Sequence, residues 1–124
     1  MNKMAIQRTA MALDLKDDQN LISAYEKYHQ FDGTWTEIPL GIKDSGVIDM
    51  QIYRIGTRLF MIVDYDEKAN LKEIFEKMST MPNQTEWAEL MATFQKKLPE
   101  AQSGEHWAEM KPVFLLNEHT INEK

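Results

Sequence analysis

Two strand-like runs joined by a two-residue turn limit the possible folds of this 124-residue chain more than any other feature. Gly56 and Thr57 form the predicted tight turn between Val47–Ile55 and Arg58–Tyr65. Successive side chains of a strand point to opposite faces, so the first run divides into two sets. One predicted face carries Ile48, Met50 and Ile52, and the other carries Asp49, Gln51 and Tyr53. The pattern predicts an antiparallel hairpin with one apolar face.

The remaining periodicities predict a β-α-β-β-α-β order with additional helical pieces, which is typical of an α+β, ferredoxin-like split βαβ fold. We treat residues 1–124 as a single domain. The polar face of the sheet suits the wall of a cleft, and pairing two sheets across it would give a homodimer. The further predicted elements are a strand Arg8–Leu15, a helix from Asp17 or Asp18 to Phe31, an irregular helix Thr34–Lys43, a helix Leu71–Met78, a helix with an apolar stripe at Trp87, Leu90, Met91 and Phe94, and a closing strand Lys111–Leu116.

Composition excludes several classes of function. The net charge of −6 disfavours nucleic acid and anionic membranes as partners. The absence of cysteine excludes disulfides, thiol catalysis and thiolate metal sites. No apolar run reaches the length of a membrane span, and the N-terminus lacks the apolar core of a signal peptide. We therefore expect a cytoplasmic protein.

Tyr25 and His29 are the leading candidates for chemistry. They are four residues apart on a predicted helix, so both side chains lie on one face. An unperturbed imidazole titrates near pH ~6.5 and exchanges protons at neutral pH. A lone histidine on a helix face is more often structural, and spacing alone leaves that alternative open. Tyr28 adds a further ring, and aromatic rings bind the apolar faces of sugars.

The three tryptophans have several possible roles. Trp35 and Trp87 are candidate stacking surfaces for a ligand, although the apolar stripe also fits Trp87 as a core residue. Trp107 fits either a lid or an interface. The spacing Glu26-x-x-His29 resembles half of a di-iron site, but the required second copy is absent, so we predict no metal. We find no phosphate loop and no nucleophile elbow.

Taken together, these residues resemble the L-rhamnose mutarotase family from about Arg8 to Leu116. The resemblance includes Tyr25-x-x-x-His29, a Trp-x-Glu at Trp35, and Trp87-x-x-Leu-Met. Its other parts are the segments RTAMALDL, G-x-x-D-M-x-I-Y, GTRLFMI and VFLL. Their order and spacing make the combination specific. The sequence looks closest to members associated with L-fucose.

The resemblance implies a homodimer of dimeric α/β-barrel type that interconverts the α and β anomers of a 6-deoxy-hexose without a cofactor. It also implies that His29 is the general acid and that Tyr25 and Trp87 bind the sugar. Ala88 stands where the family has a second tryptophan, and Met50 aligns with a substrate-binding tyrosine. These two departures weaken the prediction of L-rhamnose as the substrate. Met50 becomes a candidate contact for the 6-methyl group.

Two other functions share this architecture. One is a cofactor-free monooxygenase of the dimeric α+β barrel type, and the other is a non-catalytic module that binds a small ligand. A fold by itself does not decide between them.

Overall fold

The computed structural model describes residues 5–102 and 106–116. The terminal residues of the predicted 1–124 domain lie outside these ranges. The elements in chain order are β1 (Ile6–Leu15), α1 (Gln19–Tyr28), α2 (Glu37–Asp44), β2 (Val47–Ile55), β3 (Arg58–Asp66), α3 (Leu71–Met78), α4 (Gln84–Ala92), β4 (Gln95–Lys96) and β5 (Ala108–Glu109).

The strands form one open antiparallel sheet in the order β2-β3-β1-β4, and β5 also pairs with β1. The central pair, β1 with β3, is in register from Ile6 opposite Asp66 to Asp14 opposite Arg58. The predicted hairpin is confirmed, and Gly56 has the positive φ of 59° that its turn requires. Order and pairing confirm the ferredoxin-like α+β prediction.

The predicted closing strand at Lys111–Leu116 is wrong. The chain joins β1 earlier, through β4 and β5. Among the described residues, the last backbone hydrogen bond to β1 runs from the Met110 amide to the Ala10 carbonyl at 2.8 Å. Pro112 follows, and a proline has no N–H for a continuing ladder. The apolar residues of the segment consequently remain exposed, with Val113 at 95%.

Two predicted helices have different limits in the structure. The first ends at Tyr28, three residues before Phe31, which is fully exposed. The second begins only at Glu37, after Thr36, and is regular. Pro39 fits there because the first N–H groups of a helix have no partner inside the helix.

The helices cover one face of the sheet and build the core there. Leu15 and Leu59 join a first cluster with α1, α2 and α4, and Ile52 packs against it. A second cluster forms around α3 and consists of Val47, Val63, Tyr65 and Ile74. A bulge after Val47 inserts Ile48 as an extra residue. After the bulge, Met50 and Ile52 alternate with Asp49 and Gln51, as predicted.

The opposite face, which we call the outer sheet face, carries no residue of either cluster. Register assigns to it Arg8, Ala10, Ala12, Asp14, Asp49, Gln51, Tyr53, Ile55, Arg58, Phe60, Ile62 and Asp64. Tyr53 is 55% exposed and Ile55 is 72% exposed.

Candidate active site

Helix α1 presents the candidate residues, and both of its ends are fixed by local contacts. Asp18, not Asp17, is the N-cap, since its carboxylate accepts from the amides of Asn20 at 2.9 Å and Leu21 at 3.2 Å. At the other end His29 is the C-cap, and the Thr34 hydroxyl donates to the Tyr28 carbonyl at 2.7 Å. The orientation of His29 therefore depends on a well-defined helix end.

The imidazole of His29 is held in one orientation. Its Nδ1 lies 2.7 Å from the Tyr25 carbonyl oxygen, and a carbonyl only accepts, so Nδ1 carries the hydrogen. Nε2 is then the nitrogen available for proton transfer with a ligand. One side of the ring faces rings of its neighbours, with centroids 4.3 Å from Tyr25 and 5.8 Å from Trp87.

The surroundings of His29 shift its titration. The residue as a whole is exposed, yet burial of part of the imidazole lowers its pKa below 6.5. The hydrogen bond to the Tyr25 backbone raises the pKa by a smaller amount. The lowered pKa favours the neutral ring near pH 7.

Tyr25 is buried beneath His29 and is only 4% exposed. Burial raises the pKa of its phenol to about 12, and a side-chain hydrogen bond with Gln95 of β4 lowers it slightly. The phenol therefore keeps its proton at neutral pH, and its hydroxyl is bound to Gln95.

Aromatic side chains gather around Trp87, which is 9% exposed. Its ring centroid lies 5.1 Å from that of Trp35 and 6.0 Å from that of Tyr28, both edge-on. Edge-to-face contacts of this kind are favourable between aromatic rings. We call this set the aromatic cluster: Tyr25, Tyr28, His29, Trp35, Trp87 and Phe94.

The structure brings four of the five predicted site residues together: Tyr25, His29, Trp35 and Trp87. Met50 packs with the second cluster, while Ile52 of the same strand packs with the first. Trp107 packs against the first cluster as well, which favours neither of its predicted roles.

Sequence reasoning missed an ion pair that joins α1 to β2. The Arg54 Nε donates to Glu26 Oε2 at 2.7 Å, and Nη1 of the same guanidinium donates to the Gly56 carbonyl oxygen at 2.6 Å. Because side chains alternate between the two faces of a strand, Arg54, two residues after Ile52, could have been placed on the helix-covered face. No sequence signal pointed to Gln95.

Other features of the described residues do not form a competing site. No group of three or more His, Cys, Asp or Glu side chains among them could hold a metal ion. No helix in the described part of the chain is long and apolar enough to cross a membrane. A surface cavity of about 420 Å³ lies beside β5, away from the aromatic cluster, and its lining has no imidazole or aromatic ring: Glu100, Gln102, Glu109, Met110, Lys111 and Pro112.

Comparison with known proteins identifies a family for the chain. The family model for L-rhamnose mutarotase matches residues 8–116. An L-fucose mutarotase of Xanthomonas campestris pv. campestris is 35% identical, over 93% of this chain and 92% of that protein. A UPF0734 protein of Dictyostelium discoideum is 38% identical, over 87% of this chain and 88% of its own length.

Solved structures show the same fold. An L-rhamnose mutarotase from Formosa agariphila superposes with a TM-score of 0.62 at 21% identity, over 88% of this chain and 97% of that one. A dimeric ferredoxin-like protein from an uncultured marine organism gives a TM-score of 0.54 at 17% identity, over 91% of this chain and 93% of the other.

Proposed function

Because this chain belongs to the L-rhamnose mutarotase family, we propose that it interconverts the α and β anomers of a 6-deoxy-hexose, with His29 as the proton-transfer group. Membership makes it a sugar mutarotase of the L-rhamnose/L-fucose type, an isomerase. The observation that carries the proposed mechanism is the His29 imidazole, anchored at Nδ1 by the Tyr25 carbonyl and flanked by Trp87.

The chemistry requires only proton transfers. When the sugar ring opens, the ring oxygen takes a proton and the anomeric hydroxyl loses one. Closure on the other face of the carbonyl gives the opposite anomer. A group that both donates and accepts a proton serves ring opening and ring closure alike, and the imidazole of His29 is such a group. Neither a cofactor nor a covalent intermediate is needed.

We assign sugar contact to the aromatic cluster. Trp87 and Trp35 offer flat apolar surface next to His29, with centroids 5.1 Å apart. The sugar contact of Tyr25, which is 4% exposed, stays a prediction. The role of Met50 at the 6-methyl group stays a prediction.

We propose L-fucose as the faster substrate. The support is the 35% identity to an L-fucose mutarotase, together with Met50 and Ala88, the two departures from rhamnose-type members. The cytoplasmic location also stays a prediction.

The test of this function is saturation-exchange NMR between the anomeric protons of L-fucose, L-rhamnose and D-galactose. We expect the protein to accelerate exchange of L-fucose most, then L-rhamnose. Spontaneous rates for both deoxy sugars would refute the proposal. Binding without acceleration would then favour the ligand-binding module, and oxygen consumption with aromatic substrates would favour the monooxygenase.

We further propose a homodimer that buries the outer sheet face. Each end of this face carries a charge pair, Arg8–Asp64 at one end and Arg58–Asp14 at the other. At one end the arginine lies on β1 and the aspartate on β3, and at the other end the arginine lies on β3 and the aspartate on β1. A two-fold axis in the plane of the face therefore sets each arginine opposite an aspartate of the second copy.

The middle of the same face is apolar and suits an isologous contact. Ala10 and Ala12 of β1 lie directly opposite Ile62 and Phe60 of β3. We expect Ile62→Glu to convert the dimer to monomers, because a charge would be buried without a partner. Leu40→Glu, at an exposed apolar position of α2, is the matched control and should leave the mass unchanged. Analytical ultracentrifugation checks both, and a dimer that survives Ile62→Glu would argue against this interface.

A further inference from the structure

Ring opening moves two protons, and His29 accounts for one of them. Resting on the proposed function, we propose that Glu26, held in place by Arg54, is the second proton-transfer group and accepts the proton of the anomeric hydroxyl. The pair joins α1 to β2 at a contact of 2.7 Å.

Helix geometry places Glu26 next to His29. At 3.6 residues per turn, the Cα–Cβ direction of His29 lies about 40° from that of Tyr25 and about 60° from that of Glu26, between the two. Residues three apart have Cβ atoms roughly 5–6 Å from each other. Along the helix, the Cα–Cβ directions of Tyr25 and Glu26 therefore lie to either side of that of His29.

Arg54 gives this carboxylate a defined orientation. Its guanidinium binds Glu26 Oε2 and the Gly56 carbonyl, so it is anchored at the hairpin turn. Arg54 stands two residues after Ile52, on the helix-covered face of β2. The side chain of Glu26 is 51% exposed and that of Arg54 is 32% exposed, so a ligand can reach the pair. Oε1 is the oxygen that we assign to the sugar.

Three other titratable groups of the described residues are less suitable. The Tyr25 phenol is buried, retains its proton and is bound to Gln95. The aspartates of the two charge pairs, Asp14 and Asp64, lie on the outer sheet face, across the sheet from α1. An acid–base pair also requires two groups of different chemistry, and a carboxylate together with an imidazole meets this requirement.

The proposed step balances. The anomeric O–H bond breaks and its proton goes to Glu26, while its electron pair forms the C1=O1 double bond. The bond between C1 and the ring oxygen breaks, and the ring oxygen takes the Nε2 proton of the protonated form of His29, which is the minor form near pH 7. After rotation about C1–C2 the reverse transfers close the ring and restore both residues to their starting states.

The test is Glu26→Gln, which keeps an amide oxygen for Arg54 but removes the base. Saturation-exchange NMR on L-fucose at a series of sugar concentrations should show a maximal rate lower by about 10²-fold, with the half-saturating concentration changed less than about threefold. Glu76→Gln, at an exposed carboxylate of α3, is the control and should behave as wild type. In Glu26→Ala, added formate should restore part of the rate, which a merely structural loss would not allow.

Three outcomes would overturn the assignment: a Glu26→Gln rate within twofold of wild type, a change only in the half-saturating concentration, or no formate rescue in folded Glu26→Ala. Equal unfolding midpoints establish that the variants are folded. If wild type accelerates exchange and His29→Ala does not, a normal Glu26→Gln rate refutes only the role of Glu26. If wild type itself fails to accelerate exchange, the proposed function fails.

Discussion

His29→Ala should reduce enzyme-accelerated anomer exchange by about 10²- to 10⁴-fold, close to the spontaneous rate. The variant removes the nitrogen that transfers the proton, while the aromatic surfaces of Trp35 and Trp87 remain. Saturation-exchange NMR with L-fucose measures the loss directly. The effect should lie in the maximal rate, because binding of the sugar rests mainly on the surrounding rings.

His106→Ala is the matched control for this prediction. His106 is also exposed but belongs to the segment before β5, outside the aromatic cluster. It should retain the wild-type rate. The unfolding midpoint of His29→Ala should fall only modestly, since the exposed residue contributes one hydrogen bond to the Tyr25 carbonyl and contacts with two neighbouring rings. A folded His29→Ala that keeps the wild-type rate would return His29 to the structural role that its spacing alone allowed.

Strong local patterns predicted most of the sheet and its order. The alternation in Val47–Ile55, the turn at Gly56 and the run Arg58–Tyr65 define their own pairing, because a shift of one residue would expose the apolar face. The carboxyl end of the chain lacked such a pattern. There the apolar run 113–116 suggested a strand, but Pro112 ends the pairing with β1.

The site was partly predictable for the same reason. Helical spacing brought Tyr25 and His29 together, and the regular stripe of α4 placed Trp87 on an inward face. Spacing does not report where a buried hydroxyl finds its partner, so the contact of Tyr25 with Gln95 could not be foreseen. The Glu26–Arg54 pair depends on residues 28 positions apart, and such contacts arise only from tertiary packing.

From the sequence, Trp87 could be either a core residue or a contact for the sugar. The structure fits both, because Trp87 is 9% exposed yet contacts His29 at 5.8 Å and Trp35 at 5.1 Å. Trp87→Ala should therefore lower the free energy of unfolding by about 3–5 kcal/mol through the cavity it leaves. It should also slow exchange in the protein that remains folded. Trp87→Phe, which keeps a ring, should lose less of both.

Leu13→Ala separates the two effects. Leu13 is fully buried in the sheet and does not belong to the aromatic cluster, so its loss should cost about 2–5 kcal/mol without changing the rate of the folded fraction. Urea unfolding gives the stabilities, and exchange rates are compared per folded molecule at low temperature. If Trp87→Ala matches Leu13→Ala in both measurements, Trp87 is a core residue alone. A selective loss of rate in Trp87→Ala means that the indole which completes the core also binds the sugar, so the stability of α4 and substrate recognition depend on the same side chain.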